Sequence, residues 1–564
     1  MEKYMEHIKV LNKILVNTKM ISETKYEGDY FLTNTKKVTF VVCIPEYFPV
    51  YLPDIYIKNF KNENWFLPHI EQSGLICYSS TSNIVVNEEQ PMYVLSQCIK
   101  KAIDTVKKGL EKNNYLEFRK EFNAFWDSQP QIQKVYYLCE SHRYIKRVDV
   151  NFKDNLIIIK DSKNKQLKTA NRIFGDEGTK SNIDAYVIPL RENTIVPPNP
   201  QKGWNNKEFL KQIRENITST NKREFDKIIK KKRTGGLILL LNMPIHEFSN
   251  NILIGNFYNL KRCSIKQYSR EIIPINVSRF DNDYLIDRTS GEKEFLDFNV
   301  AIIGVGSVGS KLANELGSIG IGKMTLIDKD IFEIDNLYRH SLGAESIKKN
   351  KGKKSCNKVD LLKEQLEERF PYMQVEVEAT DVLYFVNNNP EFFKGFDYIF
   401  VCIGETMPSI QLNKLLFTLR KRVFYSWLEP MGIGGHVLYI NSKDNKKGCF
   451  NCLYTSYDTH ITSNRASFVE EGQYFEKSLA SCRSKFVPYN SITSSEAALK
   501  TMKIFYEVVV NKMMKNTLYS WVGETTNFIE KGYKFSERFN DEEIRTSKFN
   551  LSNCRVCGDK DDKI

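Results

Sequence analysis

No run of apolar residues in this 564-residue chain reaches the length of a membrane span, and the opening MEKYMEHIKV has none of the marks of a secretory leader. These two absences set the expectation of a cytoplasmic protein that works without a membrane. A third absence concerns partners. Lys and Arg outnumber Asp and Glu by 82 to 69, a formal charge of +13, yet no basic motif interleaved with aromatics is present. Lysine runs such as 230–233 and 348–354 therefore read as solvated faces, and no nucleic acid is required. A disulfide framework is not expected either, because twelve cysteines in a cytoplasmic chain point to metal ligands or nucleophiles.

What is there fills more than one core. The length calls for two to four domains, and an apolar content of 41% supplies them. The pattern divides into residues 1–130, 131–290 and 291–564. The first stretch has an amphipathic opening helix, a strand near 37–44, a Pro-marked loop and a helix at 94–112. The second mixes strand-like runs (156–159, 237–241) with charged helical segments and a loop at 196–200, and carries no chemistry motif. From 291 a strand (299–303), a helix (310–319) and a second strand (323–327) predict a doubly wound parallel sheet.

Between that first strand and helix lies GVGSVG, with Gly304, Gly306 and Gly309 in a G-x-G-x-x-G frame that lets backbone approach phosphate at a helix N-terminus. Asp328 ends the next strand, placed for ribose hydroxyls, and Asp330 follows. A nicotinamide oxidoreductase has the same features up to this point. Asn336-Leu337-Tyr338-Arg339-His340 and Asn357-Lys358 then add cations at the switch point, which a triphosphate requires and a dinucleotide does not.

The motifs GVGSVGS, LIDKD, DNLYRH and NKVDLLKEQL resemble the adenylating domain of ubiquitin-activating enzymes and the ThiF/MoeB sulfur-carrier activators. The resemblance implies ATP with Mg2+. Asp328 is then the ribose carboxylate, and Asn336, Arg339 and Lys358 the phosphate ligands. An arginine from the partner subunit is implied near Arg279, with Arg288 as its competitor. The family's Mg-binding aspartate is absent from Phe400-Val401-Cys402-Ile403-Gly404-Glu405, where Glu405 is the carboxylate available.

Cys449/Cys452 and Cys554/Cys557 form two C-x-x-C pairs with the spacing of a structural Zn2+ site. Between them, Cys482 has Arg483 and Lys485 as neighbours, cations that favour the thiolate.

Near the amino terminus, Tyr47 to Ile55 resembles the Pro-rich loop of ubiquitin-conjugating enzymes. Pro68 stands nine residues before Cys77, the spacing of that family's His-Pro-Asn triplet to its cysteine. Leu67 and His69 replace the flanking His and Asn, leaving His69 as the residue to donate to an oxyanion. Conjugating-like and activating-like parts in one chain resemble the bacterial fusions of antiphage CBASS operons, as do Asp283-Tyr284, Trp427 to Pro430 and Gly434-Gly435-His436. The fold class expected is multidomain α/β and α+β. It comprises a conjugating-like α+β domain, a middle linker or inactive adenylation-like domain, and an adenylation domain with structural zinc. The resemblance implies adenylation of a protein C-terminal carboxylate, capture on Cys482, transfer to Cys77 and conjugation to an amine. It also implies a cGAS-like nucleotidyltransferase as donor and a homodimer. A sulfur-carrier adenylyltransferase needs no amino-terminal domain, and a tail-binding scaffold needs no reactive Cys77.

Overall fold

A computed structural model of the chain describes every residue except 1, 34–35, 61–64, 80–84, 111–114, 131, 163, 177, 192–194, 246–247, 290–291, 350–356, 445–446, 455–462, 476, 479–484, 514, 541–544, 547 and 559–564. Two units result, one of residues 1–166 with 177–284 and one of 167–176 with 285–564. No helix among the described residues is long and apolar enough to cross a membrane.

The first unit opens with a four-stranded antiparallel meander, β1 (Val16–Ser22), β2 (Lys25–Phe31), β3 (Lys37–Cys43) and β4 (Asp54–Ile57), in the order β1-β2-β3-β4. Helix Pro91–Leu110 lays Leu95, Ile99, Ala102 and Val106 against Phe40, Val42 and Ile55, a helical period of 3 to 4 meeting a strand period of 2. Two short helices follow, Tyr115–Lys120 and Phe122–Asp127. The second of these joins the core of the middle stretch. Phe122 and Trp126 are buried there beside Phe209, Phe225 and Leu239, and Trp126 Nε1 donates to Ile275 O at 2.9 Å.

The middle stretch is a mixed sheet of β5 (Gln133–Tyr137), β6 (Lys146–Lys153), β7 (Leu156–Lys160), β8 (Thr179–Lys180), β9 (Asp184–Pro189), β10 (Arg233–Ile245), β11 (Phe248–Cys263) and β12 (Ile273–Arg279). Its order is β7-β5-β12-β11-β10-β9-β6-β8, and a further β7–β6 pairing closes the ladder on itself. Along β10, Ile238 and Leu240 face one core and Leu237, Leu239 and Leu241 the other, where helices Asn206–Asn216 and Ser219–Lys230 cover them. This strand order differs from that of the carboxy-terminal sheet.

In the second unit, β13 (Asn299–Ile303), β14 (Lys323–Ile327), β15 (Gln374–Glu378), β16 (Tyr398–Val401) and β17 (Arg422–Leu428) run parallel, with β18 (Gly434–Asn441), β21 (Thr517–Val522) and β22 (Arg545–Thr546) added antiparallel. The order β15-β14-β13-β16-β17-β18-β21-β22 reverses direction of winding at β13, which places a crevice beyond the carboxyl ends of β13, β14 and β16. A short ladder of β19 (Lys477–Ser478) with β20 (Lys485–Phe486) stands apart.

Candidate functional site

Two places in the fold carry reactive groups. In the first unit, residues 67–78 form a hairpin added to β4. Ile70 bridges Ile76, Glu71 N donates to Leu75 O at 2.9 Å, and Leu75 bridges Tyr56. Gly74 turns the tip at φ +88°, where a side chain would stand 2.5 Å from Ile57 O. Cys77 leaves this hairpin exposed, its N–H donating to His69 O at 2.8 Å. It opens into a cavity of about 550 Å³.

His69 itself sits at φ +62°. Its amide donates to Glu121 Oε2 at 2.7 Å, Nδ1 lies 2.6 Å from Glu121 Oε1, and Nε2 lies 3.0 Å from Glu117 Oε2. The hydrogen bond to Glu121, then that to Glu117, outweigh burial and hold the imidazole above its usual pKa. Both ring nitrogens are thus committed to carboxylates. The oxyanion role expected of His69 is not what this geometry offers, because the ring is spent on Glu117 and Glu121 while its carbonyl holds the Cys77 amide. Burial, and then the charges of Glu71 and Glu121, push the Cys77 thiol above its ordinary value.

In the second unit the crevice forms a cavity of about 240 Å³ lined by Gly304, Gly306, Asp328, Asp330, Asp381 and Glu405, among others. The glycines differ in their reasons. Gly304 has φ +85°, and a methyl at Gly309 would lie 2.0 Å from Gly304 O. A methyl at Gly306 meets nothing within 4 Å, so that position faces open space. Asp328 accepts from the amides of Val305 and Asp330, each at 2.8 Å, and burial raises its pKa. Lys358 is buried and donates from Nζ to Asp330 Oδ2 at 2.8 Å, with its amide on Asp330 O at 3.0 Å.

The Asn336–His340 segment is pinned beneath the glycine loop. Ser307 Oγ donates to Arg339 O at 2.8 Å, His340 Nε2 donates to Val305 O at 2.7 Å, and Leu342 N donates to His340 Nδ1 at 3.1 Å. Those bonds require the neutral ring, and burial pushes its pKa down to about 4. Asn336 Oδ1 caps a local turn through Glu333 N at 3.1 Å. Sequence reasoning quoted His340 without assigning it a role. It also missed Asp381, whose only signal was the Asp-Val pair following β15. Asp381 caps helix Val382–Asn388 and holds Lys329 at 3.0 Å. Glu405 is exposed at the start of helix Thr406–Thr418.

The two arginines separate clearly. Arg279 is bidentate to Asp281 at 2.7 Å on both arms, donates to Asn251 O at 2.7 Å, and stacks over Tyr284. Its guanidinium is engaged within its own unit. Arg288 is exposed. Glu429 and His436, in segments singled out from sequence, are buried partners at 2.8 Å, with Ser520 Oγ on the other ring nitrogen at 2.8 Å. Cys482 lies outside the described residues, between β19 and β20.

Cys449, Cys452, Cys554 and Cys557 are buried with all four sulfurs within 4.8 Å of one another. The Cys449–Cys554 pair is 3.7 Å apart and Cys452–Cys557 3.3 Å. A tetrahedron with Zn–S near 2.3 Å needs sulfurs about 3.8 Å apart, so the set fits zinc and leaves no fourth position open.

Residues 4–135 match the family model described as Prokaryotic E2 family B, and residues 282–549 match the ThiF family. The chain is 22% identical over 315 residues to the ATP-dependent ubiquitin transferase-like protein Cap2 of Pseudomonas aeruginosa, covering 50% of this chain and 54% of that protein. It is 27% identical over 179 residues to the adenylyltransferase and sulfurtransferase UBA4 of Eremothecium gossypii, covering 31% and 38%. The chain thus spans about half the length, or less, of these curated relatives. Among solved structures, E. coli MccB aligns at 18% identity with a TM-score of 0.34, over 47% of this chain and 66% of that one.

Proposed function

Since one chain joins a Prokaryotic E2 family B stretch to a ThiF family stretch, we propose that it is an ATP-dependent activating and conjugating enzyme. The second unit binds ATP and makes an acyl-adenylate from a protein C-terminal carboxylate, releasing pyrophosphate. Lys358 and Arg339 neutralise phosphate charge, Asp328 takes the ribose hydroxyls, and the Gly306 backbone faces the phosphates. Of the crevice carboxylates, Asp328 is occupied by backbone amides, Asp330 by Lys358 and Asp381 by Lys329, which leaves Glu405 for Mg2+. Arg288 is the arginine to act across a homodimer.

Cys482 captures the acyl group as a thioester and Cys77 receives it by thiol exchange, ready for attack by an amine. The four cysteines hold Zn2+ structurally. The donor is the tail of a cGAS-like nucleotidyltransferase, joined to its target in cytoplasmic antiphage defence. The observation that carries this reading is an exposed Cys77 opening into a cavity, in the same chain as a glycine-loop crevice lined by Asp328 and Asp330.

The test supplies ATP, Mg2+ and C-terminal tail peptides of cGAS-like nucleotidyltransferases. Pyrophosphate exchange and reducible adducts are expected, with the adduct on Cys77 lost in both Cys77→Ala and Cys482→Ala. Exchange absent with every tail overturns the reading.

A further inference from the structure

Resting on the reading of Cys77 as an acyl carrier, we propose that the cavity beside it is a composite acceptor pocket. It selects a primary amine on an aliphatic stem, and part of its lining comes from the middle stretch rather than from the conjugating-like part.

Three parts of the cavity lining differ in chemistry. Trp65, Phe66 and Phe125 supply an aromatic part, with Phe66 and Phe125 rings 4.6 Å apart. Glu71 supplies a carboxylate whose one side-chain hydrogen bond among the described residues comes from Ser73 Oγ at 3.4 Å. Glu121, which also lines the cavity, is already matched by His69. Pro200 and Gln201, from the middle stretch, also line it.

That last part is fixed in place. Trp204, four residues beyond Pro200, lies 5.6 Å from the Trp126 ring and 6.3 Å from Phe122, inside the shared core. The hairpin is tied to the same helix, since Gln72 Nε2 donates to Ser128 O at 3.0 Å. Cys77, the carboxylate and the middle-stretch lining are therefore held in one frame without any partner.

Glu71 gives the mouth of the cavity an unmatched negative charge. An ammonium group is drawn in, while thiolates and hydroxide, which discharge a thioester unproductively, are repelled. Aromatic faces take the methylene stem and favour the cation. The ammonium loses one proton to water, and the neutral nitrogen then attacks the thioester carbonyl. A C–N bond forms, the C–S bond breaks, and the second nitrogen proton goes to the departing Cys77 sulfur.

The test needs no acyl donor, so its failure is distinct from a failure of activation. The full chain is treated with 2-aminoethyl methanethiosulfonate (a cation), its 2-sulfonatoethyl analogue (an anion) and the neutral methyl reagent. Labelling of the Cys77 peptide is followed by mass spectrometry. The cation is expected to react at least fivefold faster than the anion after normalising to free cysteine. Glu71→Gln brings that ratio toward one, a change that any general shift in thiol reactivity cancels out of. Gln201→Trp, which enlarges that part of the lining, slows the aminoethyl reagent more than the methyl one. Equal rates for both charges, or a ratio untouched by Glu71→Gln, overturns the charge selection. Indifference to Gln201→Trp in a chain that melts normally overturns the composite lining.

Discussion

Replacing His340 by Gln gives the sharpest probe of how the glycine loop is held. The wild-type ring is buried, donates to Val305 O at 2.7 Å and accepts from Leu342 N at 3.1 Å, so only its neutral tautomer fits. In the unfolded chain an imidazole takes a proton near 6.5. In the folded chain burial holds that proton off until about 4. The native state thus binds fewer protons between these values, and stability falls as pH drops through that window. The full interval corresponds to about 3 kcal/mol, and acidification from pH 7.5 to 5 costs about 2 kcal/mol on this ring's account. His340→Gln keeps an amide able to reach Val305 O but cannot titrate. At pH 7.5 it is expected to destabilise by about 1–2 kcal/mol through a poorer hydrogen bond. Its further loss at pH 5 is smaller than the wild type's by about 2 kcal/mol. The assay is amide exchange of peptides spanning 299–318 at both pH values, corrected for intrinsic rates. Contributions from other titrating groups, including the four zinc-type thiols, cancel between variant and parent. Equal acid-induced losses in the two proteins refute the assignment of a neutral, loop-holding His340.

Other consequences are simpler to measure. Gly309→Ala brings a methyl to 2.0 Å from Gly304 O and is expected to lower the melting temperature and abolish ATP binding. Gly306→Ala meets nothing within 4 Å, so it melts normally and loses only nucleotide affinity, as equilibrium dialysis with ATP reads. Because burial, and then Glu71 and Glu121, raise the Cys77 pKa, its alkylation by iodoacetamide runs slower than free cysteine at pH 8 and still climbs above pH 9, and a plateau below pH 8 contradicts this. One equivalent of zinc is expected by mass spectrometry. Its removal by a strong chelator, or Cys554→Ser, exposes 449–453 and 549–557 to protease, and protection unchanged without metal argues against a metal-held core.

The carboxy-terminal half was legible in the sequence because its signals are local. A glycine frame, an acidic residue ending the next strand and two C-x-x-C pairs each announce their geometry within a few residues. The strand falls where the reading put it, at Asn299–Ile303, and the helix expected at 310–319 spans Ser307–Ser318. The Cys77 hairpin was partly legible from its Pro68 spacing. What surrounds it was not, because Glu117, Glu121 and Pro200 come from 40 to 123 residues away and carry no motif. His69 shows the limit most directly. Its identity suggested a donor to the reacting group, but two glutamates on a distant short helix pair take both ring nitrogens. The middle stretch defeated pattern reading for a topological reason. Its closed sheet mixes parallel and antiparallel neighbours from strands far apart in sequence, so no period or connection length identifies it.

The charges near the two proposed carrier cysteines also give the relay a direction. Arg483 and Lys485 flank Cys482 in the sequence, which sets the expectation of a site that favours the thiolate. At Cys77 burial, and then the charges of Glu71 and Glu121, raise the thiol's pKa. In thiol exchange the sulfur of lower pKa leaves more readily, so on that expectation the relay we propose runs from Cys482 to Cys77 more easily than back. The same asymmetry protects the product, because a thioester on a more basic sulfur resists stray nucleophiles while it waits for an amine. Reversing one charge tests this ordering. Glu71→Lys is expected to lower the Cys77 pKa, speed the charging of Cys77 by a small peptide thioester, and shorten the lifetime of the loaded form. Faster charging with an unchanged lifetime would separate the two effects and defeat the argument from leaving-group basicity.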